Sequence, residues 1–290
     1  MQIISGTEIA AQIRESLREA NEKEGIRPVL AIIVVGYQQE SLSYVRLKEK
    51  AVTSIGGETH LMVMPENSSK QSLLNSIDRL NQDKGVDGIL LQLPLPDHLQ
   101  KDKEEILSAI SLEKDVDGFT PANRGLLSGD GAEFTSCAAL ACLEVIERVY
   151  PELEGKRAVL VGDSFDVIIP VATILLKRGC PVSIYPNYQE GLVNRADILV
   201  VEKGGPEIIE GAEIKGSPLI IDAGFYWEAG HSCGNVKGDS VTDNEGYLLP
   251  VPGGLGPMLI AKLCENLSQA AWRNRGNNTG IDTDNRDLKD

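Results

Sequence analysis

The chain has 290 residues, 42% of them hydrophobic, which is enough apolar material for two ordinary domain cores. Its net charge of −15 argues against a nucleic-acid or anionic-membrane surface as its partner. No apolar run is long enough to span a bilayer, and the opening MQIISGTEIAAQIRESL has neither a basic start nor an apolar signal core, so a cytoplasmic location is expected.

That opening predicts a short strand and an amphipathic helix. PVLAIIVVG (28–36) is an uninterrupted apolar run ending at glycine, the pattern of a buried parallel strand. A helix over 40–55 follows, stopped by Gly56 and Gly57. THLMVM (59–64) predicts a strand, SKQSLLNSIDRLNQ (69–82) a helix, VDGILLQL (86–93) a strand closed by Pro94 and Pro96, and KDKEEILSAI (101–110) a helix. The stretch 115–133 is rich in Gly, Asp and Asn and is expected to cross between domains, with a connecting helix over 136–150. KRAVLVG (156–162) then opens a second unit, with a helix over 167–179 and strands at 181–185, 196–204 and 217–225. An amphipathic helix over 257–274 closes the chain before a polar stretch, 275–290, expected to be a disordered tail.

Alternating strands and helices predict an α/β protein: two domains with parallel-type sheets flanking a cleft, the second a Rossmann-like nucleotide-binding domain. The expected division is 1–137 plus 257–274 for the first domain and 138–256 for the second. Strand ends carrying Gln92 and Gly162 are expected to face the cleft.

Four polar residues stand out. Tyr44 and Lys48 are four apart in a predicted helix and so share a face. Gln92 interrupts GILLQLPLP, where a buried amide needs partners, and Asp117 lies in KDVDGF. Each has an ordinary explanation: a solvated lysine, a half-buried tyrosine, an amide on its own sheet edge, a turn carboxylate. Together, a lysine, a glutamine and a carboxylate form a candidate acid/base site. PVPGGLGP (250–257) reads as a Gly/Pro loop before a helix, or as a place where backbone approaches a ligand closely. Five scattered cysteines without CxxC spacing and three separated histidines predict reduced thiols and no metal site.

YVRLKEKA, VDGILLQLPLP, EKDVDGFTPANRG and PVPGGLGPM, in this order and spacing, resemble the signature segments of the bifunctional methylenetetrahydrofolate dehydrogenase/methenyltetrahydrofolate cyclohydrolase family, over about residues 1–273. The resemblance implies that Lys48 is the acid/base residue at the one-carbon bridge, hydrogen-bonded by Gln92. It also implies that Asp117 binds the pterin's aminopyrimidine edge and that Tyr44 stacks on the folate. Pro252, Gly253 and Gly254 would let backbone approach the flat ring. It further implies tetrahydrofolate derivatives as partners, NADP or NAD as cofactor at Gly162, Ser164 and Pro170, and a homodimer built through the edge strand of the second domain.

The cofactor loop departs from the family's Gly-Arg-Ser-x-x-Val-Gly-x-Pro. Here it reads Gly162-Asp163-Ser164-Phe165-Asp166-Val167-Ile168-Ile169-Pro170. Asp163 replaces an arginine expected at a 2′-phosphate, and Ile168 a glycine at a helix N-terminus. YPNYQE (185–190) stands in place of the family's His-Ser-x-Thr, Glu202 in place of a small apolar residue, and SCAA (136–139) in place of Pro-Cys-Thr-Pro. Hydrolysis of 5,10-methenyltetrahydrofolate is therefore the expected reaction, with the dehydrogenase step weak, NAD-linked or lost. The alternatives are a non-catalytic folate-binding paralogue or partner subunit, and an unrelated Rossmann-type dehydrogenase.

Overall fold

The apolar runs become strands and the amphipathic segments become helices. The structure, a computed structural model, describes residues 1–129, 131–228 and 230–276. In chain order it begins with β1 (Gln2–Ile3), α1 (Gly6–Glu24), β2 (Val29–Val35), α2 (Gln39–Ser54), β3 (Glu58–Met64), α3 (Lys70–Gln82) and β4 (Gly88–Leu91). Short helices α4 (Asp97–Gln100), α5 (Lys103–Ser108) and α6 (Pro121–Leu126) precede the longer α7 (Cys137–Val149). Then come β5 (Ala158–Val161), α8 (Ile168–Lys177), β6 (Val182–Tyr185), β7 (Ile198–Val201) and β8 (Leu219–Asp222). The chain ends with β9 (Tyr226–Glu228), β10 (His231–Cys233), β11 (Tyr247–Leu249) and α9 (Leu255–Asn274). No helix among the described residues is long and apolar enough to cross a membrane.

The chain forms two compact units, Met1–Ala11 with Arg124–Lys262, and Gln12–Asn123 with the chain from Leu263 onward. In the latter, β3-β2-β4 form a parallel sheet in which Leu30 pairs with Thr59 on one side and Gly88 on the other. Leu30 to Val34 are all buried, so β2 has no polar face and no alternation. Ile33, Ile89 and Leu91 of this sheet pack with Leu73 and Ile77 of α3 and Ile106 of α5. The Ser69 hydroxyl caps α3 by accepting from the Ser72 amide at 3.2 Å, a contact worth about 1 kcal/mol. Buried Asn21 donates to the Ile55 carbonyl and to Ser268, and accepts from Trp272, so one amide fastens α1 to the end of α2 and to α9.

The other unit is built on a six-stranded, wholly parallel sheet in the order β1-β11-β8-β7-β5-β6. The chain leaves β5 for β6 on one side and returns to β7 on the other. The strand order therefore reverses at β5, and the carboxyl ends of β5 and β7 border the crevice where such sheets bind ligands.

Several boundaries differ from the sequence-based expectation. The helix expected over 101–110 is shortened to α5, Lys103–Ser108, because Lys101 and Asp102 form a turn that separates it from the unexpected short helix α4. The strand expected over 86–93 stops at Leu91, just before Leu93 and Pro94 join through a cis peptide. The crossing segment 115–133 contains α6. The antiparallel hairpin β9–β10 and strand β11 were not expected; each is three residues long, too short for a period to show. Of the tail expected to be disordered, Arg275 bonds the Asp87 carboxylate and the Arg27 carbonyl, each at 3.2 Å, and residues 277–290 lie outside the described residues.

Candidate functional site

Lys48 lies on the buried stripe of α2, in line with Val45, Val52 and Ile55. It is only 9% exposed, where helical spacing would ordinarily place an apolar side chain. A buried ammonium costs free energy without an acceptor. Its acceptor is Gln92 Oε1, at 3.1 Å from Nζ. The other end of that amide donates from Nε2 to the Leu93 carbonyl at 2.7 Å. Only the NH2 end can serve a carbonyl, so this bond turns Oε1 toward the lysine. Gln92 is held in turn by its backbone, whose N–H donates to Ile33 O at 2.9 Å and extends the ladder one step beyond β4. A lysine ammonium has three donors, and Gln92 takes one, so the amine keeps hydrogen-bonding capacity for a ligand. Tyr44, one turn earlier on α2, is 46% exposed.

Asp117 is also 9% exposed and sits in a loop shaped by its neighbour Asp115. The Asp115 carboxylate accepts from the Phe119 and Thr120 amides at 3.0 and 2.8 Å and from Asn123 Nδ2 at 2.9 Å. Gly118 adopts φ +69°, the turn that lets the chain double back. Burial pushes the Asp115 carboxyl above its ordinary value, against these three donors. Asp115 was not singled out from the sequence, although an aspartate three residues before a glycine in DVDG is a usable signal for a side chain that closes a turn.

Pro252, Gly253 and Gly254 belong to the unit with the six-stranded sheet. Gly253 has φ +89°, and its carbonyl accepts from the Thr7 amide at 3.1 Å. A Cβ at Gly6 would lie 2.0 Å from the Gly254 carbonyl oxygen, so two glycine backbones meet there with no room for side chains.

In the same unit Gly162 directly follows β5 and Glu202 directly follows β7. The Glu202 amide donates to the Val161 carbonyl at 2.9 Å. Its carboxylate folds back over the loop: Oε1 accepts from the Asp163 and Ser164 amides, each at 3.1 Å, and Oε2 from the Ser164 hydroxyl at 2.6 Å. The Ser164 hydroxyl in turn accepts from the Val167 and Ile168 amides at 3.2 and 3.1 Å, at the start of α8. Asp163 pairs with Lys203, and Pro170 is buried within α8. Arg124 stacks over the Phe165 ring, 5.0 Å from its centroid. All five cysteines are free and buried, and the described residues contain no group of three or more His, Cys, Asp or Glu able to hold a metal.

Comparison with known proteins gives one consistent result. Residues 4–117 match the family model described as the catalytic domain of tetrahydrofolate dehydrogenase/cyclohydrolase, and residues 136–275 match its NAD(P)-binding domain. The chain is 59% identical to bifunctional protein FolD 1 of Syntrophomonas wolfei over 278 residues, covering 95% of this chain and all of that protein. It resembles the crystal structure of the bifunctional FolD of Campylobacter jejuni with a TM-score of 0.88 at 37% identity, covering 95% of this chain and 99% of that one. A Trypanosoma brucei FolD complexed with NADP and an inhibitor matches with a TM-score of 0.85 at 31% identity, covering 93% and 97% of the two chains. The chain belongs to the tetrahydrofolate dehydrogenase/cyclohydrolase family.

Proposed function

We propose that the chain hydrolyses 5,10-methenyltetrahydrofolate to 10-formyltetrahydrofolate, with Lys48 as the acid/base residue. The observation that carries this is the buried Lys48 amine fixed at 3.1 Å from an oriented Gln92 amide, within the stretch that matches the catalytic-domain model. Water adds to the methenyl carbon and gives up its two protons as the formyl C=O forms; a ring C–N bond breaks, one of those protons passes to the freed nitrogen and the other is released. A lysine able to exchange protons at that carbon serves both events. Gln92 orients the amine without adding charge. Asp117 pairs with the donors of the pterin edge and Tyr44 stacks on the folate.

In this proposal residues 1–137 with 257–274 serve the folate and 138–256 form the nucleotide-type domain; the change from one family model to the other between residues 117 and 136 supports a boundary near 137. A cytoplasmic homodimer is part of it. Edge strand β6, with Ile184 exposed, supports the dimer. The family's other reaction, hydride transfer from 5,10-methylenetetrahydrofolate to NADP or NAD, needs a dinucleotide at the loop after β5. The residues present do not fit one, since the Asp163 and Ser164 amides there already serve Glu202. Relatives named as bifunctional enzymes favour catalysis over a purely folate-binding paralogue.

Decay of methenyltetrahydrofolate absorbance with no nucleotide present tests the assignment. The native chain should accelerate it, and Lys48→Met should lower the rate by roughly a hundredfold or more. An unchanged rate in that variant would remove Lys48 from the chemistry.

A further inference from the structure

We infer that the Glu202 carboxylate is a resident anion on the pyrophosphate seat of the nucleotide-type domain, so that the native chain takes up neither NAD nor NADP there. Three observations converge. The first is topological: Gly162 and Glu202 follow the two strands, β5 and β7, that flank the reversal of strand order, where a dinucleotide lies in sheets of this kind.

The second is the donor set. Successive backbone amides at such a loop, together with the start of the following helix, form the concavity that holds phosphate oxygens. Here the Asp163 and Ser164 amides and the Ser164 hydroxyl all donate to Glu202, and the Val167 and Ile168 amides donate to the Ser164 hydroxyl. A carboxylate has a phosphate's charge sign and acceptor geometry, so it satisfies these donors as the ligand would.

The third is space. A Cβ placed on Gly162 would fall 2.2 Å from Glu202 Oε1 and 2.4 Å from its carboxyl carbon. A glycine is useful here because the missing side chain lets a pyrophosphate come against the backbone. In this chain that room is filled by the Glu202 side chain. A dinucleotide would have to displace a hydrogen-bonded carboxylate or place its own negative charge beside it. Asp163 and Asp166 stand on the same loop; of the cations beside it, Lys203 is paired with Asp163 and Arg124 lies over the Phe165 ring.

The test is calorimetric titration with NAD and NADP of the full chain, of Glu202→Ala and of Glu202→Gln, beside the nucleotide-free cyclohydrolase rate and a thermal melt of each. The native chain should give no saturable heat with either dinucleotide at millimolar concentration. Glu202→Ala should gain saturable binding at least tenfold tighter than the native limit, because it removes both the bulk and the charge from the seat. Glu202→Gln keeps an acceptor for the amides but loses the charge, and should fall between the two. If Glu202→Ala does not fold, Glu202→Gln decides. Micromolar binding by the native chain would overturn the inference, as would folded variants as silent as the native protein. The nucleotide-free rate is read separately, so failure of the cyclohydrolase assignment does not masquerade as failure of this one.

Discussion

The loop closed by Asp115 and the loop closed by Glu202 are the same device used to opposite ends. Each carboxylate accepts two backbone amides and one side-chain donor. Asp115 closes its own loop, since all its partners lie four to eight residues further on. The turn it makes carries Asp117 as a second carboxylate, itself only 9% exposed. Glu202 instead reaches across two neighbouring strands to a loop 38 or 39 residues earlier in the chain and takes its donors. A carboxylate thus shapes a loop in one unit and occupies one in the other. What separates them is whether the amides it satisfies are also the amides a ligand needs.

Removing Asp115 should have the largest effect. Asp115→Ala leaves the Phe119 and Thr120 amides and Asn123 without their buried acceptor, at a cost of roughly 4 kcal/mol. The urea midpoint should fall accordingly, and folate affinity should fall with it as the Asp117 loop loosens. A midpoint within error of the native protein would show that the loop is held by its packing and not by this carboxylate.

Asp222, in the six-stranded unit, gives the next effect and a different signature. It accepts from the Gly224, Asn235 and Val236 amides, and burial still pushes its carboxyl up to about 6 from an ordinary 3.8. Between those values the folded chain holds a proton that the unfolded chain has released. Its contribution is therefore full below pH 3.8 and is lost as pH rises through 6, a change of roughly 3 kcal/mol. Thermal melts between pH 4 and 7 should show this as a downward slope that Asp222→Asn removes. Parallel curves for the two proteins would mean that the three amides outweigh burial.

Sequence patterns made the strands, the helices and the Lys48–Gln92 contact legible for a definite reason. A polar residue inside an apolar run, such as Gln92 in GILLQLPLP, demands a partner, and the resemblance of the surrounding segments named it. Lys48 alone reads as a solvated lysine, because the burial that distinguishes it depends on which stripe of α2 faces the sheet. Asp115 was passed over in favour of Asp117, although both stand in DVDG. Glu202 was noticed only as a charged residue where the family has a small apolar one, inside a strand expected over 196–204. Its partners lie on another loop, and the adjacency of β5 and β7 is a property of the sheet order, which no local pattern encodes.

Gln92→Leu tests the orienting role with a smaller change. It deletes the acceptor for Lys48 while nearly keeping volume, and should lower the cyclohydrolase rate by roughly tenfold, or about 1.4 kcal/mol. The loss should fall mainly on kcat, since the amide faces the amine and not the pterin edge assigned to Asp117. A rise in KM at constant kcat would instead move Gln92 from orienting the amine to holding the substrate.

The smallest effect separates the two acids on the nucleotide-type loop. From the sequence, Asp163 carried the case against NADP, because it replaces an arginine. In the structure its side chain is 68% exposed and paired with Lys203, whose side chain is 43% exposed, an arrangement that contributes about 0–1 kcal/mol. Asp163→Asn should therefore leave the melting temperature nearly unchanged. It should also leave the protein as silent toward NAD and NADP as the native chain, since Glu202 still holds the Asp163 and Ser164 amides. Calorimetry on this variant beside Glu202→Ala divides the loop's charge from its occupancy. If neutralising residue 163 alone brought dinucleotide binding, long-range repulsion and not a filled seat would be what turns the nucleotide away.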